Sequence, residues 1–221
     1  MYRVDRNNFY EREKKATIYT PEGVSNFIFE IVKDCICSDK PVLDPCVGAG
    51  SLLKPFKRAG FRVIGIDIEK QGFPCTLVRN YLEIQKGEIE HPSLVIMNPP
   101  FNLDQKTKEY IKWHYSGRPL LPEVWLQKAI ELFGRDVPII LFTPYGLRLN
   151  QQENSKRWLR FVNGEYPEIQ SIISLPKDIF NGILFHAEIL LFNVSQKTGG
   201  RHGNIKGHYF YHSEQVQARL Y

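Results

Sequence analysis

PVLDPCVGAGSLLKPFKRAGFRVIGID, residues 41–67, decides the fold. Pro41 to Leu43 open a short apolar run that stops at Asp44 and Pro45, a glycine pair follows at Gly48 and Gly50, and LLKPFKRAG reads as a helix. FRVIGID (61–67) is then a second apolar run, again closed by an aspartate. Strand, glycine loop, helix, strand is the β-loop-α-β unit that opens a parallel, doubly wound sheet, because a crossover of this length returns the chain parallel to its first strand. Glycine at two loop positions lets a ligand approach the backbone at the carboxyl edge of such a sheet.

Outward from this unit the pattern repeats. Upstream, Thr20 is suited to cap a helix, Pro21 to its first position, and Glu22 to the positive end of its dipole. Val24, Phe27, Ile28, Ile31 and Val32 form one apolar stripe, predicting a helix through about Cys37. Downstream strands are predicted at 93–98, 137–143, 168–175 and 188–194, with helices near 122–134 and 151–163, and YFYH (209–212) is a further edge-strand candidate. The expectation is an α/β fold with a doubly wound, mostly parallel seven-stranded sheet. The loop between 175 and 188 is too short for a crossover helix, so the last two long strands should pair as an antiparallel hairpin.

At 221 residues the chain is sized for one domain, expected to span 1–221 with a charged arm at 1–16. No apolar run approaches the roughly 20 residues of a membrane span, and the start lacks a secretory segment, so a cytoplasmic protein is expected. Cys35, Cys37, Cys46 and Cys75 make no CxxC pair and read as reduced thiols; the six histidines form no HxH or HxxxH pattern, so no metal is expected. The net charge is +5, with basic excess concentrated in 1–15, 102–122, 148–160 and 196–221. A polyanion-facing surface and scattered solvated charge both account for it.

Three constellations carry chemistry. Around Gly48 and Gly50, a dinucleotide fingerprint would continue with glycine or alanine where Leu53 stands, so the loop suits a different nucleoside ligand better than a pyrophosphate. Asp67, 23 residues after Asp44, ends the second strand where a carboxylate can accept both hydroxyl hydrogen bonds of a ribose. NPPF (98–101) follows the apolar strand LVIM. Its prolines supply no N–H donors, leaving carbonyls and the Asn98 side chain as acceptors around an amino group, while Phe101 offers a ring for stacking.

Together these stretches resemble the S-adenosylmethionine-dependent adenine-N6 DNA methyltransferases found as modification subunits of restriction systems. TIYTPEGVSNFIFEIV (17–32), DPCVGAGSLL (44–53), GIDIEK (65–70), NPPF, IILFTPYG (139–146) and ISLPKDIFNGILFHAEILLF (173–192) follow the family's linear order. The resemblance implies a Rossmann-like class I methyltransferase fold and S-adenosylmethionine as cofactor. It places the cofactor against Thr20, Pro21, Asp44, Pro45, Gly48, Gly50, Asp67, Ile68 and Asn98, with Asn80 standing where the family commonly has an acid.

The implied catalytic group is Asn98, Pro99, Pro100 and Phe101. The Asn98 oxygen and the Pro99 carbonyl would accept both N–H groups of a flipped adenine, with direct attack and no covalent enzyme intermediate. Phe101 and either Phe180 or Phe185 would stack the base. Lys106, Lys108, Lys112 and Arg118, interleaved with Tyr110, Trp113 and Tyr115, are read as a loop that grips DNA phosphates. No separate target-recognition domain is evident, so a specificity subunit is an expected partner. Adenine methylation of RNA and a non-catalytic subunit of the same fold are the alternatives. Leu53 and NPPF disfavour an NAD-dependent oxidoreductase.

Overall fold

The computed structural model describes residues 19–74, 76–100, 105–115, 119–149, 151–180 and 186–194, together with the backbone of 207–210. Strands β1 (Val42–Asp44), β2 (Val63–Asp67), β3 (Thr76–Val78), β4 (Leu94–Met97), β5 (Ile139–Pro144), β6 (Ile169–Ser174), β7 (Ala187–Phe192) and β8 (Gly207–Phe210) form one sheet in the order β3-β2-β1-β4-β5-β7-β6-β8. From β3 through β5 all pairings are parallel. The run 168–194 forms the expected antiparallel hairpin of β6 and β7, and β7 also runs antiparallel to β5.

All seven expected strands are present, the last as β8 at 207–210 rather than 209–212, parallel to β6 at the sheet edge. The eighth is β3, at the opposite edge. Its three residues are half-buried or exposed, too short and too wet to leave an apolar run.

Helices α1 (Glu22–Val32) and α2 (Lys54–Arg58) cover one face; α3 (Gln105–His114), α4 (Leu121–Phe133) and α5 (Lys156–Val162) belong to the other. The core accordingly has two halves. Val24, Phe27, Ile28 and Val32 of α1 pack with Phe56, Ile96, Phe142 and Ile189; Leu126 and Ala129 of α4 pack with Leu43, Met97, Leu141 and Leu190. Neighbouring residues of β1, β4, β5 and β7 thus alternate between the halves, the period-2 reading of a sheet buried on both faces. Phe56 meets Phe29 edge-on with ring centroids 5.1 Å apart, joining α2 to α1.

Three helix boundaries differ from expectation. α1 stops at Val32 instead of Cys37, because the chain turns there and returns Cys35 and Ile36 to the same core. α5 starts at Lys156 rather than 151, where the Ser155 hydroxyl accepts from the Trp158 N–H and caps it. The segment after NPPF, read as a loop, contains the ten-residue helix α3, anchored by the buried Ile111 and by the Tyr110 hydroxyl donating to the Leu82 carbonyl at 3.0 Å. Its other positions are polar or exposed, so it shows no amphipathic signal strong enough to read.

None of the side chains of α5 is fully buried; Phe161 packs against the α4-side core, and charge pairs supply the rest of its attachment. Glu123, buried in the first turn of α4, accepts from Arg157 Nε at 2.8 Å, from Arg160 at 3.1 Å and from the Tyr166 hydroxyl at 3.0 Å. Removing the carboxylate would take their shared acceptor from two partly buried guanidinium groups and a phenol, leaving Arg160 with Glu165 and Tyr166 with Gln127. Glu123→Ala is therefore expected to cost about 3–5 kcal/mol in urea unfolding, with amide exchange accelerating first in α5.

Candidate active site

The carboxyl ends of β1, β2 and β4 converge on one edge of the sheet. At the end of β1, Asp44 is 1% exposed, and its carboxylate accepts the Cys46 backbone N–H at 3.0 Å. Burial pushes the Asp44 carboxyl up to about 7; the Cys46 hydrogen bonds oppose that rise and the charge of Asp67 adds to it. Burial followed by the neighbouring Asp44 holds the pKa of the Cys46 thiol well above the usual thiol range, against the opposing pull of the nearby Asn98 backbone N–H. Cys46 therefore sits between Asp44 and the backbone of Asn98, a placement that a lone cysteine in the sequence did not signal.

The loop beyond Cys46 is tied to β2. Gly48 has φ +48° and donates its N–H to Asp67 Oδ2 at 2.8 Å, while Asp67 Oδ1 accepts from the Glu69 N–H at 3.2 Å. Each carboxylate oxygen keeps a lone pair for a further donor, so Asp67 can still receive ribose hydroxyls. Gly50 has φ +78°, and a Cβ there would lie 2.1 Å from the ring of Phe73. No other residue fits that turn, which gives the second glycine of the sequence pattern its physical reason. Beside Asp67, Ile68 stands 64% exposed at the rim, an apolar side chain open to a flat ring.

At the end of β4, the Asn98 side-chain nitrogen donates to Thr20 Oγ1 at 3.2 Å. Asn98 Oδ1 is buried with no hydrogen-bond partner among the described residues. Thr20 was expected to cap α1; Pro21 holds the cap position without a side-chain cap bond, and the buried Thr20 hydroxyl is turned to Asn98 instead. Pro99 is buried and Pro100 exposed.

Thr20, Asp44, Gly48, Asp67 and Asn98 are thus brought to one edge. Asn80 lies beside them, two residues past the β3 position paired with Asp67. Its Oδ1 accepts from the Leu82 N–H at 3.1 Å and its nitrogen donates to Glu83 at 3.0 Å, capping the 3-10 turn Tyr81–Glu83. Lys106, Lys108 and Lys112 are exposed on α3, where Trp113 is 83% exposed. Phe101, Arg118 and Phe185 lie outside the described residues, and Phe180 is packed in the α1-side core.

Sequence reasoning missed Glu188, fully buried on β7 opposite Thr143 of β5. Its Oε2 accepts from Arg148 Nε at 2.9 Å, and its Oε1 has no partner among the described residues. Burial raises its pKa against the pull of Arg148. An acid inside the apolar run AEILLF was the available signal.

No protein-family profile and no curated protein matches this sequence. Solved structures do. The type I restriction-modification system methyltransferase subunit from Streptococcus thermophilus is 16% identical, with 85% of this chain and 49% of that one covered at a TM-score of 0.60. A candidate class I S-adenosylmethionine-dependent methyltransferase from Listeria monocytogenes is 14% identical over 87% of this chain and 65% of that one, TM-score 0.59. A candidate RNA methyltransferase from Pyrococcus horikoshii is 16% identical over 81% and 87%, TM-score 0.51. What is shared at these identities is the fold, that of the class I methyltransferases. The chain spans about half the length of the Streptococcus subunit and less than two thirds of the Listeria protein. Among the described residues no cluster of side chains could hold a metal ion, and no helix is long and apolar enough to cross a membrane.

The buried Asp44 makes stability depend on pH with a defined sign. Its folded pKa, about 7, exceeds the ordinary 3.8, so between these values the folded protein holds a proton that the unfolded chain has lost. This contribution is complete below pH 4 and is lost as the pH rises toward 7. Relative to Asp44→Asn, the wild-type unfolding free energy should fall by up to about 1.4 kcal/mol per pH unit across that window. Urea midpoints measured from pH 4 to 8 check this; parallel curves for the two proteins would contradict it.

Proposed function

We propose that this chain is the catalytic domain of an S-adenosylmethionine-dependent methyltransferase that modifies the N6 amino group of adenine in DNA, working within a restriction-modification assembly. One observation carries the reading. Asn98 Oδ1, at the end of β4, is a buried acceptor without a donor among the described residues, and an unpaired buried acceptor costs about 1–3 kcal/mol unless a ligand satisfies it. An exocyclic amino group is a donor of that kind.

The residues present fit the cofactor. Asp67 retains lone pairs for ribose hydroxyls, Ile68 offers an apolar surface beside them, and Gly48 and Gly50 keep the loop backbone close. Asp44 is assigned to the amino-acid end of the cofactor, while the Thr20 hydroxyl is engaged with Asn98. S-adenosylmethionine, when bound, supplies a methyl group on a positively charged sulfur.

The chain's own contribution is to make the amino nitrogen nucleophilic. That nitrogen's lone pair is delocalised into the adenine ring. Asn98 Oδ1 and the Pro99 carbonyl, each accepting one N–H, draw electron density back onto it. Both bonds strengthen as positive charge develops on the nitrogen, so they favour the transition state over the ground state. The two prolines place no competing donor beside the amino group. Phe101 is assigned to stacking the flipped base, worth about 1–3 kcal/mol, which offsets much of the unstacking cost.

DNA is the proposed polymer because α3 presents Lys106, Lys108 and Lys112 with Trp113 just beyond NPPF, and Arg118 continues that basic run in the sequence. Lysines reach phosphates but read no bases, so target sequence is assigned to a partner specificity subunit.

Labelled cofactor offered with duplex DNA, single-stranded DNA, RNA and protein tests the reading. Label should enter N6-methyladenine in DNA; label in RNA or protein would replace the proposed substrate. Asn98→Ala should lower methyl transfer by about 10²–10³, with cofactor affinity by calorimetry nearly unchanged. Converting Lys106, Lys108 and Lys112 together to Gln should weaken binding to unrelated duplexes alike and flatten log K against log salt by about 2–3 units of slope. A change confined to one sequence would oppose the phosphate role.

A further inference from the structure

The two ends of a side-chain amide have nearly the same shape, so packing alone does not decide which faces a ligand. At Asn98 the orientation decides function: the oxygen end attracts an amino group, and the nitrogen end would oppose one donor with another. The main chain of Asn98 is fixed by its place directly after β4, which leaves rotation of the amide free. A threonine hydroxyl can donate or accept; here it takes the accepting part, in the 3.2 Å hydrogen bond from Asn98 Nδ2 to Thr20 Oγ1, with Asn98 Oδ1 left unpaired among the described residues. Thr20 is only 6% exposed, and in the absence of a side-chain cap bond to α1 its hydroxyl is available for this contact.

We infer that Thr20 is a positioning residue for the methyl-transfer reaction, engaging the nitrogen of the Asn98 amide so that its oxygen is presented to the substrate amino group. The inference rests on the function proposed above and gives the segment before α1 a catalytic purpose distinct from cofactor binding. Thr20 lies 78 residues from Asn98 in sequence, and the contact exists because α1 packs over the β1 and β4 ends. Docking of α1 thereby completes the site. A β-branched residue also suits the position, since its side chain has few rotamers and the hydroxyl is held in place at little entropic cost.

Thr20→Val removes the acceptor while keeping the shape, and Thr20→Ser keeps the acceptor. With Thr20→Val, kcat should fall about tenfold, the equivalent of one ordinary hydrogen bond, while KM and calorimetric Kd for the cofactor stay within about twofold. Thr20→Ser should restore most of kcat. A wild-type kcat in Thr20→Val would overturn the assignment, as would a loss expressed wholly as weaker cofactor binding.

The Asn98 side-chain NH2 resonances, identified by their disappearance in Asn98→Ala, supply a readout independent of turnover. They should shift and exchange faster with solvent in Thr20→Val, and return toward wild type in Thr20→Ser. Unchanged resonances in Thr20→Val overturn the positioning role. Wild-type protein that methylates no polymer would instead overturn the proposed function, leaving the amide measurement to judge the contact. Thermal unfolding of both variants separates these effects from misfolding.

Discussion

The hydrogen bond from the Gly48 N–H to Asp67 Oδ2 joins the two strands on which the rest of the site is built. β1 and β2 are parallel neighbours, so they deliver their carboxyl ends to the same edge, and the loop leaving β1 must cross that edge before α2 can form. Without a tie, a loop of small residues would sample many conformations. The carboxylate at the end of β2 selects one of them and gathers the loop N–H toward itself. The left-handed conformations of Gly48 and Gly50 follow from that path, as does the close seat of Phe73 against Gly50. Together with the Val47 N–H bond to the Ile66 carbonyl at 2.9 Å, the tie from Gly48 to Asp67 converts the parallel register of a sheet into a defined loop.

The same edge brings buried polar groups together. Asp44, Thr20 and Glu188 are buried there, and both Asn98 and Glu188 keep one oxygen without a partner among the described residues. Groups of this kind are tolerated only where surrounding packing is strong enough to hold them. Here the support comes from both core halves, with Ile96 and Phe142 on one face and Met97 and Leu141 on the other. Glu188 differs from Asn98 in having Arg148 against it, which ties the segment after β5 to the hairpin strand β7.

The sheet and the glycine loop were legible because their signals are local: apolar runs ended by Asp44, Asp67 and Asn98, with glycines at fixed offsets. What escaped reading depends on distance in the chain or on weak periodicity. β3 is three residues long and partly wet, and α3 has one buried side chain. Local rules also favoured Thr20 as a helix cap, which a long-range contact with Asn98 overrode. Cys46 and Glu188 owe their roles to what tertiary packing sets beside them. Lys106, Lys108 and Lys112 were placed on a loop and lie, exposed, on α3, because charge is visible in a sequence and a thinly anchored helix is not.

That thin anchoring fits the division of labour in the fold. α3 is held chiefly by Ile111 and by the Tyr110 hydroxyl on Leu82, and α5 by charge pairs to Glu123, whereas α1 and α4 bury broad apolar faces. Elements held by few contacts can shift at small free-energy cost, and those held by broad faces cannot. The Asn98 and Asp67 groups sit on the rigid part, where a displacement of a fraction of an ångström would spoil an acceptor's aim. The lysines of α3 sit on the less constrained part; under the proposed function their attraction to phosphates would act over several ångströms and tolerate movement. The strength with which each element is packed therefore follows the geometric precision its side chains require.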